Sequence, residues 1–181
     1  MAFGLYRDWS DEHASKDHRA EWFRKEEWKY GKAGGSLCGR SAIRGQSGKI
    51  FYLDGMEIHS CKGCLRAGKD SKSPCSQKDD MEQIYAEFED ADVVVFASPL
   101  YFWTITGTLK TAADRLYAEL ECLGYSRFPK KSVLLMTAGG GDYSQAVTWY
   151  RTYERNLGWK NLGEVLGKSK TGEAYKLGAS I

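Results

Sequence analysis

An unbroken apolar run at residues 93–97 constrains the fold of this chain most strongly. The run is rich in β-branched valine, does not alternate with polar residues, and stops at a Ser-Pro pair. Helix-like patterns flank it on both sides, so it predicts a parallel strand that is buried on both faces. Ligands of open α/β sheets bind beyond the carboxyl ends of such strands. The aromatic triplet at residues 101–103 therefore lies where a planar aromatic ligand would be held.

From residue 51 onward, strand and helix patterns alternate along the chain. Asp79 and Glu82 have the spacing of a capping box at the start of the first helix, with Asp79 as the N-cap. The alternation indicates an α/β fold with a parallel sheet. We predict strands at residues 51–53 (extending to 57–59 in one interpretation), 92–97, 132–137 and 162–166, and helices at 79–88, from about 106 to 120, at 143–157 and at 172–179.

Residues 1–50 differ from the rest, because tryptophans and mixed charges are followed by a Gly- and Ser-rich stretch without a buried-strand run. Residues 1–6 form at best a poor first strand, and residues 19–30 a weakly amphipathic helix. We predict a single domain over residues 1–181, with 1–50 as an anomalous N-terminal segment and 51–181 as a recognisable core.

Composition excludes several classes of function. The chain has 181 residues, enough for one domain with a sizeable core. A net charge of +2 does not favour nucleic acid as a partner. No apolar run approaches the roughly 20 residues of a membrane span, and residues 1–11 lack the apolar stretch of a signal peptide. We therefore expect a cytoplasmic protein that does not bind membranes.

Two groups of charged residues have the patterns of solvated surfaces. Lys110 and Asp114 are four positions apart on a predicted helix, as in a surface ion pair, and Arg115 follows them. Lys130 and Lys131 belong to a short basic run that includes Arg127. We predict that both groups are exposed.

An ordered set of motifs identifies a family resemblance. Residues 51–181 resemble the NADPH-dependent FMN reductases and iron–sulfur flavoproteins of the flavodoxin-like fold. The resemblance implies a three-layer αβα domain with strand order 2-1-3-4-5, in which the first βα unit is uncertain. The motifs are Cys61-Lys62-Gly63-Cys64, Lys78-Asp79-Asp80-Met81, the strand at 93–97 with Ser98-Pro99-Leu100-Tyr101-Phe102, Gly107-Thr108-Leu109-Lys110 with Asp114-Arg115, and Gly139-Gly140-Gly141.

The resemblance implies an FMN site formed by two loops. The aromatic side chains of the first loop would form a flat wall for the flavin ring, and backbone N–H groups between Ser98 and Phe102 would bind the ring edge. Two simpler interpretations stay open, namely aromatics that only pack under a loop and an ordinary strand-to-helix turn with Asp142 as N-cap. No catalytic acid or base is required. The predicted cofactor-binding residues are Ser98, Pro99, Leu100, Tyr101, Phe102 and Trp103 in the first loop, and Thr137, Gly139, Gly140 and Gly141 in the second.

The N-terminal segment departs from the family pattern. The family binds the FMN phosphate with a Ser- and Thr-rich loop after its first strand, at the start of a helix. Here Asp8 would occupy that place, and Ser10 and Ser15 are the nearby hydroxyls. Two explanations are open, a diverged segment with weak or no FMN binding and a shifted reading frame across about residues 7–50.

Cys61, Cys64 and Cys75 form a separate group of candidate residues, and they are weak candidates for metal ligands. Iron–sulfur members of the family have four cysteines in a short stretch, whereas Ala67 stands here where a third is expected. We therefore do not expect an iron–sulfur cluster. Plain thiols, redox-active thiols and a metal site with His59 are the open alternatives.

The resemblance implies an FMN-dependent oxidoreductase. It would pass electrons from NAD(P)H to a small acceptor, namely a quinone, a nitro or azo compound, or free flavin. It also implies a homodimer with the flavin near the interface. The alternatives are an electron-transfer flavoprotein with a cysteine-based redox or metal centre, and a remnant that binds no cofactor.

Overall fold

A five-stranded sheet organises the chain, in a computed structural model that describes residues 2–7, 47–124 and 128–181. The order of the strands across the sheet is β2-β1-β3-β4-β5. This order confirms the prediction, as do the positions of the last three strands. The strands are β1 Ala2–Arg7, β2 Ser47–Tyr52, β3 Val93–Pro99, β4 Lys131–Thr137 and β5 Lys160–Leu166.

The sheet is mixed rather than parallel throughout. Strands β3, β4 and β5 are parallel, as predicted. Strand β1 runs antiparallel to both of its neighbours, with Ala2 opposite Ala97 and Tyr6 opposite Val93. The prediction of a fully parallel sheet is therefore wrong for β1. The prediction that residues 1–50 lack a buried strand is also wrong, because Phe3 and Leu5 lie in the core.

Helices cover both faces of the sheet. Phe96 and alternate residues of β3 face a large core beneath helices α1 to α4, and Val95 faces a smaller core beneath α5. The predicted helix from residue 106 is two helices that meet at Leu116. Gly158 has a left-handed φ of 69° and ends α4, as its position predicted. The helices are α1 Met81–Phe88, α2 Gly107–Arg115, α3 Tyr117–Leu123, α4 Ser144–Leu157 and α5 Thr171–Ser180.

A long connection joins β2 to α1. It begins with a short 3-10 helix, Leu53–Gly55, and residues 57–59 form no strand within it. The predicted capping box is also not formed: Asp80 is the N-cap of α1 and its side chain makes no capping hydrogen bond. The Asp79 carboxylate accepts a bond from the N–H of Met81 (3.1 Å) but is bound mainly by a distant arginine, described below.

None of the helices that the structure describes is long and apolar enough to span a membrane. Residues 8–46 and 125–127 lie outside the described part of the chain. Our predictions for the helix at 19–30, for Asp8, Ser10 and Ser15, and for Arg127 fall on those residues.

Candidate functional site

The aromatic triplet forms a tight hairpin beyond the carboxyl end of β3. The backbones of Tyr101 and Thr104 pair through two hydrogen bonds of 3.0 and 3.1 Å. Phe102 and Trp103 form the two-residue tip with left-handed φ values of 46° and 63°, which is the backbone of a primed hairpin turn. Bulky residues rarely adopt this conformation. Phe102 is 88% exposed and Trp103 is 54% exposed, so the tip presents two large apolar rings outward.

Buried hydroxyl groups fix the base of this hairpin. Ser98 is buried, and its Oγ accepts a hydrogen bond from the Thr106 N–H (3.0 Å) and donates one to the Pro99 carbonyl (2.8 Å). The Thr106 side chain in turn accepts a bond from the N–H of Leu109 and caps α2. Ser98 and Pro99 therefore shape the loop from within the core, and a ligand would meet residues 100–103.

Two of the backbone N–H groups that we expected to bind the ring edge form hydrogen bonds inside the protein. The Leu100 N–H donates to the Thr137 carbonyl (3.0 Å), and the Tyr101 N–H donates to Thr104. These two groups do not face a ligand, contrary to the prediction. Within the described part of the chain, the N–H groups of Phe102 and Trp103 at the tip have no backbone partner.

The second predicted loop lies beside the first. The bond from Leu100 to Thr137 ties the end of β3 to the end of β4, and a Cβ added at Gly141 would lie 3.0 Å from the Leu100 side chain. Gly141 has a φ of 138°, which favours glycine. Gly139 and Gly140 are exposed, and a Cβ added at either would meet no atom within 4 Å. The two loops therefore form one surface at the carboxyl edge of the sheet.

Asp142 organises the turn into α4 without being its N-cap. Its carboxylate accepts hydrogen bonds from the Ser144 N–H and Oγ, both at 2.8 Å. These two bonds lower the pKa of Asp142, and Tyr143 is the N-cap residue. The interpretation of Asp142 as the N-cap is therefore wrong by one residue, because Asp142 precedes the N-cap and binds the first residue of the helix instead.

This surface fits the ring of a flavin. The exposed rings of Phe102 and Trp103 are inclined by 62° to each other, so each offers one flat apolar face rather than a shared wall, and Gly139 and Gly140 leave room beside them. The first loop of the chain, which binds the FMN phosphate in the family, is placed differently. Because β1 is antiparallel to β3, Arg7 at its carboxyl end lies near Val93, at the edge of the sheet opposite the hairpin. The chain after β1 therefore starts on the far edge, whereas the family's phosphate loop starts beside the ring.

The three cysteines of the long connection line a second surface cavity. Cys61, Cys64, Ala67 and Cys75 all border it, and the start of α3 forms its opposite wall. Cys61 and Cys64 are exposed and Cys75 is half-buried. Among the residues that the structure describes, no three His, Cys, Asp or Glu side chains converge closely enough to hold a metal ion.

These residues do not fit an iron–sulfur cluster of the usual four-thiolate kind. Three cysteines line the cavity, and Ala67, which stands where the family resemblance leads us to expect a further cysteine, lines it beside them. Cys38 lies outside the described residues. Cys122 is half-buried on α3, whereas the helix pattern favoured a fully buried residue there.

A buried ion pair that the sequence did not reveal lies beside this cavity, and its arginine, Arg115, lines the cavity. Arg115 is 1% exposed, so its predicted place on a solvated face is wrong. Its guanidinium donates to both oxygens of Asp79 (2.6 and 3.1 Å) and to the carbonyls of His59 and Gln77. The neighbouring pair of Lys110 and Asp114 is at the surface, as predicted.

The electrostatics of this pair follow from its contacts. Burial alone would raise the pKa of Asp79, but hydrogen bonds from Arg115 and from the N–H groups of His59 and Met81 outweigh it and lower the pKa to about 2. The pair joins α2 to both ends of the cysteine-containing connection. These contacts hold the connection in place.

Comparisons with known proteins agree with this geometry. An iron–sulfur flavoprotein of Archaeoglobus fulgidus is 38% identical over 71 residues, which are 39% of this chain and 34% of that protein. An FMN-dependent NADH:quinone oxidoreductase of Stenotrophomonas maltophilia is 30% identical over 90 residues, 45% of each chain. The chain thus spans less than half the length of these relatives.

A solved structure shares the fold. An NAD(P)H:quinone oxidoreductase from Methanothermobacter marburgensis superimposes with a TM-score of 0.61 and 18% identity, over 86% of this chain and 90% of that one. The family profile described as NADPH-dependent FMN reductase matches residues 40–157, which include both loops and the cysteine-lined cavity. The chain therefore belongs to the NADPH-dependent FMN reductase family.

Proposed function

We propose that this protein is an FMN-dependent oxidoreductase that passes electrons from NAD(P)H to a small acceptor. The observation that carries the proposal is the surface formed by the aromatic hairpin at 101–104 and the glycine loop at 139–141. The two loops meet at the carboxyl ends of adjacent parallel strands, where α/β sheets bind their ligands.

The residues of this surface bind and orient the cofactor. Phe102 and Trp103 would pack against the flavin ring, and their N–H groups, which have no backbone partner among the described residues, would be available to its polar edge. Gly139 and Gly140 leave the opposite side open to the donor and acceptor. FMN, when bound, supplies the two-electron chemistry. No side chain of the two loops is needed as an acid or base.

The donor and acceptor classes follow from the family. Acceptors would be quinones, nitro or azo compounds, or free flavin, and the relative named as a quinone oxidoreductase favours quinones. We further propose a cytoplasmic homodimer, in which a second copy covers part of the exposed Trp103 ring.

A flavin titration tests the proposal. The visible spectrum of the purified protein is recorded, and quenching of flavin fluorescence is followed as FMN is added. Flavin absorption as isolated or tight FMN binding supports the proposal. A colourless protein that does not bind FMN at high micromolar concentration contradicts it. Consumption of NADH and NADPH with a panel of quinone, nitro and azo acceptors then identifies the substrates.

The direction of β1 favours a second candidate, a protein that keeps the ring surface but binds the phosphate weakly or not at all. Riboflavin lacks the phosphate and distinguishes the two. Equal affinity for FMN and riboflavin supports the second candidate. An affinity for FMN at least about 100-fold higher, roughly 2.7 kcal/mol, supports a phosphate site.

A further inference from the structure

The cavity lined by Cys61, Cys64 and Cys75 is separate from the flavin surface. It lies on the connection between β2 and α1, with Tyr117 and Glu121 of α3 on its other wall. Neither loop at the carboxyl edges of β3 and β4 contributes to it. Its chemistry is therefore independent of the proposed oxidoreductase site.

Each of the three sulfurs accepts a hydrogen bond from the backbone two residues further along. The N–H of Gly63 donates to Cys61 Sγ (3.4 Å), and the N–H of Gln77 donates to Cys75 Sγ (3.5 Å). The N–H of Arg66 is bonded to the Cys64 sulfur in the same way. Hydrogen bonds of this kind favour the charged form of a group, and at Cys64 a side-chain hydroxyl adds to the backbone contact.

Of the three cysteines, Cys64 has the contacts that most favour the thiolate form. Its Sγ lies 3.7 Å from the Ser76 hydroxyl in addition to the Arg66 N–H, and these bonds lower the pKa of Cys64. The side chain is exposed, so a reagent in solution can reach it. Low pKa together with exposure is the environment of a reactive cysteine.

Cationic groups add to this environment. Arg66 and the buried Arg115 both line the cavity, and Glu121 is the carboxylate that faces them. The Nε–H of Arg115 is buried and has no hydrogen-bond partner among the described residues, whereas its other nitrogens are bound to Asp79 and backbone carbonyls. An orphaned buried donor in a cavity wall indicates that a ligand or an anionic sulfur completes it.

Cys61 and Cys64 lie on one short stretch of sharply turning backbone. The two cysteines are in the Cys-x-x-Cys arrangement of thiol redox motifs, and both line the same cavity. Gly63 and Leu65, on either side of Cys64, have left-handed φ values of 60° and 50°. The backbone therefore turns sharply between Cys61 and Cys64 and again directly after Cys64.

We propose that Cys61 and Cys64 form a thiol–disulfide exchange site that reacts with low-molecular-weight disulfides. The Cys64 thiolate attacks one sulfur of the disulfide, its S–S bond breaks, and the first thiol leaves with a proton from solvent. The Cys61 thiolate then attacks Cys64 Sγ, the second thiol leaves, and a Cys61–Cys64 disulfide forms. Two protein thiols are oxidised, and one disulfide is reduced to two thiols.

Thiol mapping of the full-length protein tests this proposal. The reduced protein is incubated with glutathione disulfide, free thiols are alkylated, and peptides are identified by mass spectrometry. We expect a disulfide between Cys61 and Cys64, with Cys75 and Cys122 alkylated. The variant Cys61→Ser should accumulate a mixed disulfide on Cys64, because the second step is blocked. Cys75→Ser should behave as the unmodified protein.

A rate measurement provides a readout that does not depend on disulfide formation. Ser76→Ala removes one hydrogen bond to Cys64, so alkylation of Cys64 by iodoacetamide near neutral pH should slow several-fold. Ser180→Ala, a serine of α5 remote from the cavity, is the matched control. Three results would overturn the proposal: a Cys64–Cys75 disulfide, equal glutathionylation of all cysteines, or stoichiometric iron and sulfide in anaerobically purified protein.

Discussion

A buried carboxyl group should make the stability of this protein fall as the pH rises. Glu119 of α3 is 0% exposed, and neither of its carboxyl oxygens has a hydrogen-bond partner in the described part of the chain. Burial is the main cause that raises its pKa, from an ordinary 4.5 to about 8. Glu89 and Asp70 raise it further, and Lys130 lowers it.

The size of this stability change follows from the difference between the ordinary and the raised pKa of Glu119. Each tenfold change in proton affinity corresponds to about 1.4 kcal/mol, so ionising Glu119 in the fold costs at most about 5 kcal/mol. Relaxation and water entry reduce such penalties, and we expect about 2–3 kcal/mol. The sign is set by the raised pKa. The stability is fully present below about pH 4.5, declines as the pH rises, and is lost above about pH 8.

Glu119→Gln removes the ionisation and keeps the shape of the side chain. Urea unfolding, followed by tryptophan fluorescence, is measured at about pH 5, 7 and 9 for both proteins. The variant should be more stable than the unmodified protein at the highest pH and should have the flatter pH dependence. Glu121→Gln, an exposed carboxylate on the same helix, is the control. Parallel curves for Glu119→Gln and the unmodified protein would refute the reasoning.

Four further predictions concern the two sites. The lowered pKa of Asp79 should contribute about 2 kcal/mol of stability that is present above about pH 3.8 and lost as the pH falls towards 2. Asp79→Asn leaves Arg115 buried without its carboxylate and should cost about 3–5 kcal/mol in chemical unfolding, whereas a loss below about 1 kcal/mol would contradict a buried pair. Trp103→Ala should weaken FMN binding about tenfold in fluorescence titrations, with little change in stability because the Trp103 ring is half exposed. Tyr175→Ala on α5 is the control. If both variants changed the affinity for FMN equally, the hairpin would not be the ring site. Gly141→Ala should lower thermal stability by about 1–2 kcal/mol, because its φ of 138° is strained for alanine, and an unchanged melting temperature would contradict this.

Most of the helices and strands could be predicted from short-range sequence patterns. The valine-rich run predicted β3, the glycine after α4 predicted where that helix ends, and the last strand and helix were placed within about two residues. These features depend on neighbours in the chain. The ring surface was also predictable, because aromatic and glycine loops directly follow two strands.

The direction of β1 was not predictable in this way. Phe3 and Leu5 point to the buried face whichever way the strand runs, since alternation along a strand has no direction. Pairing with β2 and β3 decides it. That choice places the end of β1 at the edge of the sheet opposite the aromatic and glycine loops.

Partners that are distant in the sequence also explain why two charged side chains are buried. Arg115 is buried because Asp79, which is 36 positions earlier in the chain, accepts its hydrogen bonds. Lys130 was predicted in an exposed basic run, and that prediction is wrong. Its side chain is buried, and its Nζ donates to the carbonyls of Glu89 and Ala91 (3.1 and 2.7 Å). A charge pattern alone does not reveal a partner that only folding brings close.

The sequence by itself determined most of the helices and strands and the places of the aromatic and glycine loops, because these follow from local periodicity and from motifs with fixed spacing. The strand order followed from the family resemblance that those motifs carry. The tertiary structure alone decided the reversed β1, the Asp79–Arg115 pair and the gathering of Cys61, Cys64 and Cys75 around one cavity. Each of these depends on contacts between residues far apart in the chain, whose free energy no local pattern records.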